Sequence, residues 1–145
     1  MKIRDASGWT MFIFGALASL LGLIGLIRPE ILLSILGFDP LERAQRAAGD
    51  YTIVFMTASS MASFNIGIYY ILAALNDVKI FYRWTVPFRI LTFIVFNTLA
   101  LMEIAPYRFI AVGIWELVGA FSTGIALYYE DRDKPEPVKR RKGKK

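Results

Sequence analysis

The chain has 145 residues, of which 56% are hydrophobic and 20% are charged, with 17 Lys and Arg against 12 Asp and Glu and a net charge of +5. It has neither cysteine nor histidine. That excludes disulfides and thiolate chemistry, the usual structural zinc sites, the common haem ligands, and Ser–His or Cys–His nucleophile pairs.

Four long apolar stretches account for the hydrophobic excess: 9–27, 51–75, 84–102 and 108–129. A helix needs about 20 residues to cross a hydrocarbon core of roughly 30 Å, and each stretch meets that length. The runs are continuous, not alternating, which favours helices over a membrane barrel. The fold class predicted is therefore an all-α membrane protein, a four-transmembrane-helix bundle. Its domain would cover 1–131, followed by a basic, disordered cytoplasmic tail at 132–145.

The first stretch follows "MKIRDASG" and carries no small-residue cleavage site, so it reads as a retained span. Gly15, Ala18, Gly22 and Gly25 share one of its faces, a pattern that lets helix backbones approach closely. The connection at 28–50 is long. "RPEILLSILGF" places Pro29 at a first helical turn, is apolar nearly all round, and is too short to span. It reads as a short interfacial helix between spans one and two. "DPLERAQRAAGD" then offers Asp39 as N-cap, Pro40 at N1 and Glu42 at N3, predicting a helix that runs through Gly49 into span two.

Spans two and three are joined by the eight residues "NDVKIFYR", and spans three and four by "EIAPY". Such short links make consecutive spans antiparallel neighbours. The fourth span holds "GIWELVGAFSTG". At 100° per residue, Gly113, Gly119, Ala120, Thr123 and Gly124 fall within about 80° of Glu116, so that acid faces another helix and not lipid.

Four polar side chains stand at depth: Asn65, Arg89, Asn97 and Glu116. Counting from the cytoplasmic end at 1.5 Å per residue puts Arg89 roughly 8 Å in, Asn65 roughly 15 Å, and Asn97 and Glu116 roughly 20 Å. They form a candidate polar column or ligand-binding cluster. Arg89 and Glu116 are the two opposite charges inside it, about 12 Å apart in height by this count, a gap for an Asn or a water to bridge. No catalytic residue and no metal site is assigned, and no cofactor.

Orientation follows the basic residues. Lys2, Arg4, Lys79, Arg83 and Arg132 lie on one side with the tail "KPEPVKRRKGKK". Arg28, Arg43, Arg46 and Arg108 lie on the other. The positive-inside rule then predicts a multi-pass plasma-membrane protein with both termini cytoplasmic. The lipid bilayer is its first partner, with anionic headgroups at the tail. No recognition module accompanies that tail, so nucleic acid is not a predicted partner.

The segments "RPEILLSILGFDP", "FRILTFIVFN" and "GIWELVGAFSTG" together resemble the DoxX-like group of small bacterial four-helix membrane proteins, over most of residues 9–129. The resemblance implies a helical bundle. It also implies a place beside redox enzymes as a membrane subunit linked to the quinone pool. The chain is also similar to four-helix sterol-binding and sterol-isomerising membrane proteins, whose histidine has no counterpart here. The first functional reading is a non-catalytic accessory or scaffold subunit of a membrane complex, with a protein partner or a second copy of the chain. The alternative is binding or transport of a lipid-like or quinone-like molecule, or a proton relay, in a pocket lined by the polar column with Tyr69, Phe93, Phe96 and Trp115. An enzyme would have only Glu116, Arg89 and tyrosines to work with.

Overall fold

The computed structural model describes residues 3–40 and 45–133. Those residues form five α-helices: α1 (Ala6–Ile27), α2 (Pro29–Leu36), α3 (Thr52–Leu75), α4 (Lys79–Leu101) and α5 (Ile110–Arg132). A 3-10 turn at Tyr107–Phe109 leads into α5. Four helices are long and apolar enough to cross a membrane, the make-up of a multi-pass membrane protein; α2 is the short helix between the first two.

The helix ends have local causes. Arg28 leaves the helical region (φ −140°, ψ 72°) because the following Pro29 ring disfavours it there. Gly37 closes α2 in the left-handed conformation at φ 88°, and its N–H returns to the carbonyls of Leu33 and Ser34. Asp50 starts α3: its Oδ1 accepts the Thr52 N–H at 2.9 Å and the Thr52 hydroxyl at 2.5 Å. Those bonds hold the Asp50 carboxyl below its ordinary pKa.

Two sequence expectations change here. The helix predicted from Asp39 does not run into span two: residues 45–50 are not α-helical, Gly49 sits at φ 91°, and Asp50 caps α3 afresh. Residues 41–44 of that prediction lie outside the described residues. The link between spans two and three is also shorter than its sequence implies. α4 begins at Lys79, so the turn is 76–78, with Asp77 at φ 53°. "KIFYR" is helical because it is amphipathic, and Tyr82 on its inner face is fully buried with its hydroxyl on the Ala73 carbonyl at 3.0 Å. At the other terminus Arg132 belongs to α5, and the predicted tail beyond Asp133 lies outside the described residues.

The bundle is built from two tight pairs. α1 packs most closely on α3, and α4 on α5, while α1 and α5 join the pairs. The small residues of α1 make the first contact. A Cβ added at Gly22 would stand 2.5 Å from the Phe64 backbone nitrogen and 2.7 Å from the Ser60 carbonyl; one at Gly15 would stand 2.7 Å from the Gly67 carbonyl. Ser63 donates across the same seam to the Ala18 carbonyl at 3.1 Å. The glycine face is thus spent within the chain, on α3. By contrast α3 and α4, though joined by a three-residue turn, approach one another closely at few places.

At the end where the described N-terminus and the 76–78 turn meet, an ionic knot ties three helices. Lys79 Nζ contacts Asp5, Glu130 Oε2 (2.6 Å), Asp77 (3.3 Å) and the Ser7 hydroxyl (2.8 Å). Glu130 also accepts the Ser7 backbone N–H at 2.7 Å. A carboxylate on α5 therefore caps the first turn of α1, where free amides and the helix dipole favour negative charge. Beneath the knot lie the buried Met11, Ala73, Ala74, Tyr82 and Leu127.

The tight seam gives a direct test. Gly22→Ala must displace α3 backbone and should lower stability by about 1–3 kcal/mol. Gly124→Ala, whose Cβ would meet Val86 at an ordinary 3.6 Å, should be near neutral. Reversible unfolding in mixed micelles, followed by circular dichroism, measures both.

Candidate functional site

The middle of the bundle is occupied by a cation. Arg89 projects from α4, and the residue is 2% exposed. Its guanidinium carbon lies 3.3 Å from the centroid of the Phe14 ring on α1 and 5.5 Å from that of Tyr70 on α3. Nη1 reaches the Thr123 hydroxyl on α5 at 3.4 Å, and Nε lies 3.4 Å from Glu116 Oε2. One side chain thus touches each of the other three spanning helices.

The neighbours are shaped to admit it. Gly119 leaves the space: a Cβ there would sit 2.6 Å from Arg89 Nη2 and 2.7 Å from the Phe14 ring. Trp115 stacks on the same Phe14 ring, at 4.9 Å between centroids and 20° between planes. Thr123 is fully buried and donates its hydroxyl proton to Thr10 on α1 at 3.0 Å, because the Thr10 hydroxyl donates its own to the Ser7 carbonyl at 2.8 Å. A polar path of hydroxyls therefore connects the guanidinium to the first turn of α1.

The Arg89–Glu116 contact is an ion pair without the alignment of a hydrogen bond, and Nε and Nη2 have no hydrogen-bond acceptor. The Glu116 side chain keeps 21% of its surface, against 3% for Arg89. The pair is asymmetric: the cation is sealed and the acid stands toward the edge.

The four residues singled out by sequence are distributed unevenly. Arg89 and Glu116 meet directly, with no Asn between them. The height difference counted from the spans is offset in part because α4 and α5 are in a different register from that count, and in part by the length of the arginine side chain. Asn97 stands against Gly113, one helical turn from Glu116, but its amide donates back to the Phe93 carbonyl of its own helix at 2.7 Å. Asn65 on α3 is half-buried and makes no hydrogen bond or ion pair with the other three.

The aromatic set shifts as well. Tyr69 is 58% exposed, and Phe96 packs on Phe109 at 4.8 Å. The rings beside the cation are Phe14 and Tyr70, which sequence reasoning missed. A signal existed: Phe14 falls on the inward face marked by Gly15, Ala18 and Gly22, and Tyr70 lies one turn from Gly67. Among the described residues, no group of three or more Asp or Glu side chains is placed to hold a metal ion.

The pair predicts losses on both sides. Arg89→Gln removes contacts to three helices and should cost about 3 kcal/mol. Glu116→Gln keeps an oxygen acceptor beside the guanidinium but leaves the sealed cation without its counter-charge, and should also cost about 3 kcal/mol. The double variant should show a coupling of at least about 0.5 kcal/mol in micellar unfolding.

No protein-family model, curated protein or solved structure matches the chain. Its function has to follow from the chemistry of these residues.

Proposed function

We propose that this protein is a non-catalytic accessory or scaffold subunit of a membrane complex, seated in the plasma membrane with both termini in the cytoplasm. One observation carries the reading. The only cation buried at depth among the described residues is engaged with all three other spanning helices, so its chemistry is directed to holding the bundle together. Asn97 likewise satisfies its own helix. Such a core presents fixed apolar faces to lipid or to a neighbouring helix. The resemblance to the DoxX-like group is part of this proposal, because members of that group accompany other enzymes as membrane subunits. The partner is a second membrane protein or another copy of the chain, and no nucleic acid is proposed.

A second reading is favoured by a specific feature. Two nitrogens of Arg89, Nε and Nη2, have no hydrogen-bond acceptor, and a cleft of about 210 Å³ lined by Thr10, Phe14, Trp115, Gly119 and Ser122 shares Phe14 and Gly119 with the surroundings of that cation. A lipid-like or quinone-like molecule with a carbonyl or phosphate oxygen suits such a place.

Purification in mild detergent separates the two. The scaffold reading expects a stoichiometric protein partner, or a defined oligomer, that persists in the Glu116→Gln variant. A lone protomer carrying an extractable quinone or lipid that is lost in Arg89→Gln supports the second reading instead. Reporter fusions test the orientation: those at residues 78 and 145 should report the cytoplasm, and a C-terminus reached by protease from outside intact cells contradicts it.

A further inference from the structure

The seam between α4 and α5 carries two adjoining hollows on its outer side. One, of about 540 Å³, is bordered by Arg83 and Arg132 and runs over Val86, Gly124 and Tyr128. The second, of about 340 Å³, shares Val86, Gly124 and Tyr128 and continues along Ile90 and Phe121. The result is one groove with a cationic mouth and an apolar length. Arg83, Val86 and Ile90 occupy one face of α4 at spacings of three and four; Gly124, Tyr128 and Arg132 share a face of α5 at spacings of four.

Gly124 is the informative residue. The glycines of this helix at 113 and 119 have evident reasons, since Asn97 and Arg89 fill the space where a side chain would be. Gly124 has none: the nearest atom to an added Cβ is Val86 Cγ1 at 3.6 Å, so helix packing does not demand a glycine. What its missing side chain does is keep the floor of the groove open. In a helix interior an alanine is the more favourable residue, by about 1 kcal/mol in water.

The charge at the mouth sets the occupant. Arg83 is paired with Asp131 yet its side chain remains 46% exposed, leaving guanidinium donors for a second anion. Arg132 is exposed and has no ion pair among the described residues. Two guanidinium groups against one carboxylate leave the mouth cationic, in a geometry suited to phosphate oxygens. The groove opens at the same end of the bundle as Lys79 and the 76–78 turn, the end assigned to the cytoplasmic leaflet, where anionic lipids are concentrated.

We propose that the α4–α5 groove is a binding site for one anionic phospholipid, with its phosphate held by Arg83 and Arg132 and an acyl chain lying over Gly124 between Val86, Ile90 and Tyr128. The site is separate from the Arg89 centre and rests on the proposed cytoplasmic placement of this end of the bundle. It is also distinct from the seven cations of the tail at 134–145.

The test uses the full chain in vesicles of equal phosphatidylglycerol and phosphatidylcholine. Lipid retained on extraction is counted by native mass spectrometry, and circular dichroism confirms the fold of each variant. The wild-type chain should retain one phosphatidylglycerol in preference to phosphatidylcholine. The Arg83→Gln, Arg132→Gln double variant should reduce that preference at least about tenfold. Arg132→Gln alone, which breaks no described ion pair, should reduce it in part and serves if the double variant does not fold. Gly124→Leu should abolish retention with no change of charge, and Gly124→Ala should weaken it. A chain whose seven tail cations are replaced by serine should keep the preference. Three results overturn the proposal: equal retention of the two lipids by the wild type, loss of preference on tail neutralisation with the arginine variants unaffected, or a protein partner cross-linked into the groove in place of lipid.

Discussion

A guanidinium group in the centre of a four-helix membrane bundle has to be surrounded on every side, and that requirement organises this protein. On insertion scales a central arginine costs on the order of 3 kcal/mol. Here the cost is offset by several partners, none sufficient alone. A desolvated cation over an aromatic face contributes up to about 2 kcal/mol, and Phe14 lies against the Arg89 guanidinium. Glu116 supplies the opposite charge and Thr123 a hydroxyl. Each partner comes from a different part of the chain, so the cation meets them only when the helices are assembled around it.

That constraint explains the division of labour among the helices. α1 and α3 are drawn together by glycines whose backbones touch, an interaction that needs no charge. α4 and α5 meet through Arg89, Gly119 and the Asn97–Gly113 contact. The two pairs then share the cation, since Phe14 and Tyr70 belong to the first pair and Glu116 and Thr123 to the second. The knot around Lys79 repeats the device at the bundle end, where Asp5, Ser7 and Glu130 bring α1, α4 and α5 to one ammonium group. Polar side chains set the register; small residues set the spacing.

Much of this was legible in the sequence, and the residues show why the rest was not. Continuous apolar runs announced the spanning helices, and the wheel around Glu116 placed it on a small-residue face, because both depend only on helix geometry. Depth was harder. α4 begins at Lys79, several residues before the apolar run starts, so a height counted from that run was offset from the true register with α5. The fate of the amides was not legible either: Asn97 turns back on the Phe93 carbonyl, a choice of rotamer that spacing does not encode. The helix expected from Asp39 carried sound capping signals, but they are local, and Gly49 at positive φ followed by the Asp50 cap restarts the chain. Phe14 and Tyr70 were passed over because an aromatic ring in a membrane helix carries no mark of the cation it will meet.

The central claim is that Arg89 positions α4 relative to α1 across the bundle. The chain has no cysteine, so spin labels can be attached at two introduced cysteines without background. Ile13 on α1 and Leu91 on α4 are both exposed sites for them, at 53% and 52%. The distance distribution between labels, measured by pulsed electron–electron resonance in reconstituted bilayers, should be narrow in the otherwise wild-type chain and in Glu116→Gln. It should broaden or shift in Arg89→Leu. A distribution in Arg89→Leu that superimposes on that of the wild type would show that the bundle assembles without its central cation, and would contradict the account.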